Sequence, residues 1–125
     1  MGKKILVVDD DEGIMEVVQI VLEGEGYQVS TNMDGENLHF RQENVPDLIL
    51  LDVLLAGIDG RDICRSLKSN PATQHIPVIM LSAHSDASKV ADTSGADDFL
   101  EKPFDVDVLI DIVAKHLSST ESATI

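Results

Sequence analysis

A chain of 125 residues, 43% hydrophobic and 26% charged, has the length and balance of one globular domain able to bury a core. Its formal net charge of −14 argues against nucleic-acid binding by the domain itself, because attraction to phosphates needs a basic surface. The apolar runs are strand-sized, the N-terminus lacks a signal peptide's long apolar stretch, and the single cysteine, Cys64, has no internal disulfide partner; together these predict a cytoplasmic protein with no membrane association.

The chain opens on Ile5, Leu6, Val7 and Val8, a short apolar run suited to a buried strand, which ends abruptly in Asp9, Asp10, Asp11 and Glu12. Two carboxylates ~5 Å apart repel by ~3 kcal/mol at an effective dielectric of ~20, so the cluster asks for a cation. Asp11 and Glu12 are expected only to complement a helix N-terminus. Ile14, Val17, Val18, Val21 and Leu22 then follow the spacing of one buried helix face, and Gly24 and Gly26 supply its stop. Tyr27–Thr31 reads as a second strand. Asp34–Glu43 is a weaker helical stretch with Leu38 and Phe40 inward. Leu48–Leu51 is a continuous apolar run, as expected of a central strand buried on both faces, and it ends in Asp52.

Asp59 and Gly60 begin a third helix, with Ile63, Cys64 and Leu67 on its inner face and Cys64 an inert core thiol. The apolar stretch Ile76–Leu81 holds another central strand, Val78–Leu81, ending in Ser82. Ser88–Ser94 is the weakest helical stretch, carrying only Val90 and Ala91, and is expected to be the least stable part of the domain. Asp97 and Asp98 read as turn and cap residues. Phe99–Leu100 forms the last strand, with Phe99 in the core, and leads to Lys102 and Pro103. Asp105 is the expected N-cap of a final helix with Leu109, Ile112, Val113 and Leu117 inward. This places the domain over 1–118 and a flexible, frayed tail over 119–125. His39, His75 and His116 read as surface residues.

Alternation of strand and helix predicts an α/β fold, a doubly wound parallel sheet with helices on both faces. Right-handed crossovers carry all strand C-termini to one edge, where ligands bind in such sheets. Asp9 and Asp10, Asp52, Ser82 and Lys102 therefore converge. Hard carboxylate oxygens suit Mg²⁺. A cation with an opposing lysine makes a pocket for a phosphoryl group, and an aspartate can itself take that group as an acyl phosphate.

These stretches, "ILVVDDDE", "PDLILLDVLLAGIDG", "VIMLSAHS" and "GADDFLEKPF", resemble the receiver domain of two-component response regulators over Lys3–Leu117. The resemblance implies a five-stranded (βα)5 flavodoxin-like sheet in strand order 2-1-3-4-5. It implies that Asp52 is the phosphoacceptor, that Asp10, Asp52 and the Leu54 carbonyl hold Mg²⁺, and that Asp9 acts mainly through water. Ser82 and Lys102 would bind the phosphoryl group, and Phe99 would be the aromatic switch that turns inward as Ser82 moves. The Lys102–Pro103 bond would be cis. The donor would be a histidine kinase or histidine phosphotransfer protein and the downstream target is unknown. The domain would catalyse only its own phosphorylation and dephosphorylation, and would be monomeric when unphosphorylated. Leu54 and His84 would flank the path of attacking water, with Leu54 slowing hydrolysis. The sequence departs from the family pattern at Leu55 and Ala56, where Met-Pro is usual, and in a Ser82–Lys102 span that is about two residues short; no effector domain is expected after Leu117.

Three other readings compete. Asp9-x-Asp11 resembles the nucleophile motif of haloacid-dehalogenase-type phosphatases, with Ser82, a lysine and Asp97-Asp98 completing the set; the acidic pair then precedes Lys102 where it should follow, and Asp52 has no role. A flavodoxin-like FMN binder would want a Ser/Thr/Gly-rich loop after the first strand, where this chain has carboxylates. A degenerate receiver is opposed by the intact acidic, hydroxyl and lysine set.

Overall fold

In a computed structural model the described residues are 2–32, 45–55, 58–82 and 95–122. They contain five parallel strands, β1 (Lys4–Val8), β2 (Gln28–Asn32), β3 (Leu48–Asp52), β4 (Val78–Ser82) and β5 (Asp98–Glu101), in the spatial order β2-β1-β3-β4-β5. Helix α1 (Glu12–Gly24) follows β1, α2 (Gly60–Ser69) precedes β4, and α3 (Val106–Ser122) follows β5. A small antiparallel ribbon pairs Leu54–Leu55 with Ile58–Asp59 just beyond β3. The helical stretches expected at Asp34–Glu43 and Ser88–Ser94, with Leu38, Phe40, His39, Val90 and Ala91, lie outside the described residues, as does His84.

The period-two alternation of the strands builds two cores, one on each face of the sheet. Ile5, Val7, Leu48, Leu50, Ile79, Leu81 and Leu100 meet α1 and α3 on one face. Val8, Ile49, Leu51, Val78 and Met80 meet Cys64 and Leu67 of α2 on the other. Every residue of β3 and β4 is buried, as their continuous apolar runs require, so the register of the central strands has no solvent face to slip onto.

Helix α1 stops as Gly24 and Gly26 predict. Gly26 takes φ +95°, its N–H donates to Glu23 O, and the Tyr27 N–H reaches back to Leu22 O, a left-handed turn that a side chain would oppose. The buried stripe of α1 differs from the expected one: Met15, Val18 and Leu22 are buried, Ile14 and Val21 are partly covered, and Val17 is half exposed. The i, i+4 spacing of Val18 and Leu22 extends back through Met15 at i−3, which rotates the inner face away from Val17.

Three further expectations change at the C-terminal end. Phe99 is exposed rather than core: on the edge strand β5, Leu100 takes the inward place against α3, so Phe99 alternates to the other face, opposite Met80. His116 is not a free surface residue but half-buried against Asp98. Helix α3 runs through Ser122, past the boundary read at 118, and residues 123–125 lie outside the described part. Leu109, Val113 and Leu117 of α3 are buried as expected. Asp105 stands just before the helix and its carbonyl accepts the Leu109 N–H.

Candidate functional site

Each strand end delivers its polar residue to the same edge because the ladder hydrogen bonds continue one residue past the regular strand. The Asp9 N–H bonds to Asn32 O, and the Val53 N–H bonds to Leu81 O. The Lys102 N–H bonds to Ser82 O at 2.6 Å, and the Lys102–Pro103 peptide is cis.

Asp9 is fully buried although it is a carboxylate. Both of its oxygens have partners: Oδ1 accepts the Asp11 N–H at 2.9 Å, and Oδ2 accepts Lys102 Nζ at 2.8 Å. Buried charge is tolerated only with such pairing. Asp52 is also buried, and its Oδ1 lies 3.5 Å from the same ammonium. Asp10 is exposed, yet one carboxylate oxygen from each of Asp9, Asp10 and Asp52 lies within 4.8 Å of the others. Burial pulls the Lys102 ammonium down, but the hydrogen bond to Asp9 and the charges of Asp52 and Asp9 outweigh it and hold the lysine above its usual value.

Charge decides what this edge can hold. Three formal carboxylate charges face one ammonium, which leaves two uncompensated. At ~4 Å each like pair repels by ~4 kcal/mol at an effective dielectric of ~20. A divalent cation would remove that imbalance, and three carboxylates of mixed burial, one open to water, suit a hard ion that keeps part of its hydration shell. The donor set therefore fits Mg²⁺.

The neighbours complete the picture. Ser82 is buried at the end of β4, one residue beyond the Leu81 that pairs with Asp52. Leu54 stands two residues after Asp52, its backbone in the ribbon opposite Asp59; its side chain lies outside the described residues. Phe99 sits in β5, three residues before Lys102, and touches neither the acidic cluster nor Lys102 in any described hydrogen bond or ion pair.

The phosphatase-type grouping comes apart. Asp11 spends its carboxylate as the N-cap of α1, accepting the Ile14 N–H at 3.2 Å. Asp97 stands at the opposite, amino-terminal edge of the sheet, where Oδ2 accepts Lys68 Nζ at 2.6 Å and the Val78 N–H at 2.8 Å. Asp98 pairs with His116 Nε2 at 2.9 Å and Lys115 at 3.5 Å. Asp97 and Asp98 thus tie elements together rather than merely forming a turn and cap. Sequence reasoning also missed the Asp59–Arg61 fork at the start of α2. Its signal was Asp59-Gly60-Arg61 at a helix entrance, where an arginine inside the first turn can return to the capping carboxylate.

The family of response regulator receiver domains matches residues 5–114. Response regulator PleD of Caulobacter vibrioides is 45% identical over 114 residues, covering 88% of this chain and 25% of that protein. The phosphate regulon transcriptional regulatory protein PhoB of Rhizobium meliloti is 40% identical over 107 residues, covering 83% of this chain and 47% of its own length. The crystal structure of a candidate response regulator from Chloroflexus aurantiacus superposes with a TM-score of 0.87 at 37% identity, over 94% of this chain and 99% of that one. The doubly wound sheet with acids and a lysine at its carboxyl edge is thus that of a signalling receiver, and the chain belongs to the response regulator receiver domain family of two-component systems. It spans about a quarter to a half of the length of the curated relatives it matches. No helix among the described residues is long and apolar enough to cross a membrane.

Proposed function

We propose that this receiver is a phosphorylation-activated switch that accepts a phosphoryl group onto Asp52 from a histidine kinase or histidine phosphotransfer protein, in a reaction that depends on Mg²⁺. The observation that carries this reading is the convergence of three carboxylates from two strand ends on one buried-side ammonium. Asp10, Asp52 and the Leu54 carbonyl would hold the metal directly, with Asp9 acting through water. The engagement of both Asp9 oxygens, by the Asp11 N–H and by Lys102, supports that outer role. When bound, Mg²⁺ supplies charge neutralisation to the phosphoryl oxygens.

Asp52 is the nucleophile in this reading; its burial at the end of the central strand β3 and the approach of Lys102 Nζ to its Oδ1, at 3.5 Å, support that role. The Lys102 ammonium pairs with the incoming phosphoryl group, and the Ser82 hydroxyl donates to it. Movement of Ser82 then draws Phe99 inward; its exposed position on the edge strand supports a side chain able to leave solvent for the core. Within this reading the domain is cytoplasmic and monomeric when unphosphorylated, binds neither nucleic acid nor membrane directly, and catalyses only its own phosphorylation and dephosphorylation.

The test is intact-mass spectrometry after incubation with acetyl phosphate and Mg²⁺. One added phosphate is expected, labile to hydroxylamine as an acyl phosphate is, and absent from Asp52→Asn. Loss of the label in Asp9→Asn with Asp52→Asn still labelled would overturn the assignment.

A further inference from the structure

Gly60 opens α2 and is buried. Its N–H donates to Val53 O at 2.7 Å. Its Cα stands so close to the end of β3 that a methyl group added there would fall on the Asp52 carbonyl oxygen, 3.0 Å from the carbonyl carbon and 3.1 Å from Val53 Cα. All of these are backbone atoms, so no rotamer change relieves the contact.

The chain between these two points is closed on itself. Leu54 pairs with Asp59, and Leu55 with Ile58. The Asp59 end is held by Arg61: Nε lies 3.1 Å from both carboxylate oxygens, Nη2 lies 2.7 Å from Oδ2, and the Arg61 N–H reaches Oδ1 at 2.9 Å. The first turn of α2 is therefore braced by a fork and presses bare backbone against the residue that ends β3.

We infer that Gly60 is a positioning residue for Asp52: its lack of a side chain, together with the Asp59–Arg61 brace, sets where the Asp52 carboxylate and the Leu54 carbonyl stand. The inference rests on the reading of those two groups as metal and phosphoryl ligands. Asp52 has only two side-chain torsions, so a displacement of its backbone passes almost whole to its oxygens. Mg²⁺ demands near-ideal octahedral geometry. Loss of groups that orient metal ligands costs ~10–100-fold in affinity, and a ~1 Å misplacement can cost as much in rate.

The experiment is a Mg²⁺ titration of the unphosphorylated protein, followed by backbone amide NMR, with the acetyl phosphate labelling rate measured at saturating Mg²⁺. Four proteins are compared: wild type, Gly60→Ala, Arg61→Met, and Leu117→Ala, which truncates a buried side chain in the core cluster on the other face of the sheet. Gly60→Ala is expected to bind Mg²⁺ ~10-fold or more weakly and to label more slowly, and Arg61→Met to bind it more weakly than wild type by a smaller factor. Leu117→Ala should be less stable yet keep wild-type Mg²⁺ affinity, which separates positioning from general destabilisation. Wild-type affinity in a folded Gly60→Ala protein overturns the inference. If Gly60→Ala does not fold, Arg61→Met decides, and an unchanged affinity there overturns it. A wild-type protein that neither binds Mg²⁺ nor takes the label overturns the functional reading and this inference with it.

Discussion

Lys102 reaches across the sheet to Asp9, its Nζ 2.8 Å from Asp9 Oδ2, and stands farther from Asp52, at 3.5 Å. The pair joins the ends of the first and last strands. It leaves the ammonium at the mouth of the site with a buried counterion that cannot be neutralised by solvent. Replacing Lys102 with Met should destabilise the metal-free protein by about 3 kcal/mol, because removing one partner strands a buried carboxylate beside two others. Millimolar Mg²⁺ should recover part of that loss. Urea denaturation with and without Mg²⁺ measures both; an equal loss in the two conditions would mean that Lys102 and the cation do not share the same charge imbalance.

Mg²⁺ itself should stabilise the wild-type fold. A ligand at ten times its dissociation constant adds about 1.4 kcal/mol, which for a domain of this size raises Tm by about 5 °C. Asp10 is the exposed member of the cluster, so Asp10→Asn removes a repelling charge at little packing cost. The variant should melt slightly above wild type without metal and show no Mg²⁺ shift. A wild-type Tm indifferent to Mg²⁺ would sink the cation site.

The Asp98 contacts predict a specific acid response. Burial pushes the Asp98 carboxyl up, but the His116 hydrogen bond, the Phe99 N–H and the Lys115 and His116 charges outweigh it and hold it below the ordinary 3.8. The unfolded chain therefore binds this proton more readily than the folded one, so stability rises with pH across the interval. The contribution is fully present above about 3.8 and is lost as pH falls through the lower, folded value. Asp98→Asn should lower Tm at neutral pH and flatten the acid limb of the Tm-against-pH curve. Parallel curves for the two proteins would show that the β5–α3 link carries no proton linkage.

Asp97 tests the opposite edge of the sheet. Its Oδ2 holds both Lys68 and the Val78 N–H. Asp97→Ala leaves a partly buried N–H without its acceptor and should cost about 1–2 kcal/mol. Asp97→Asn keeps an acceptor for the N–H and should cost about half as much. The Lys68 pair is open to water on the Asp97 side and adds little. Chemical denaturation of the two variants separates the contributions, and equal losses would assign the effect to the charge instead of the hydrogen bond. Phosphorylation should be unaffected in both, since Asp97 lies at the far end of the strands.

Much of this protein was determined by local sequence. Continuous apolar runs at Leu48–Leu51 and Val78–Leu81 announce strands buried on both faces, because no alternating surface is left for water. Helix faces at Leu109, Val113 and Leu117, the Asp59 cap and the Gly26 stop are each set within one or two turns. The alternating order of elements then brings Asp9, Asp10, Asp52, Ser82 and Lys102 to one edge, since a right-handed parallel sheet has only one carboxyl edge to offer.

Tertiary structure alone decided matters that turn on packing between distant segments. The inner face of α1 falls on Met15 rather than Val17 because the helix settles by its contact with the sheet, and periodicity leaves a rotation of one residue open. Phe99 lies outward because β5 is an edge strand, which a short apolar pair does not announce. His116 finds Asp98, Lys68 finds Asp97, and Lys102 chooses Asp9 over Asp52 through contacts whose ångström-scale differences have no trace in residue spacing. The approach of Gly60 to Asp52 belongs to the same class: the sequence offers a glycine at a helix entrance, and only the folding of that helix against the end of β3 makes its missing side chain a requirement.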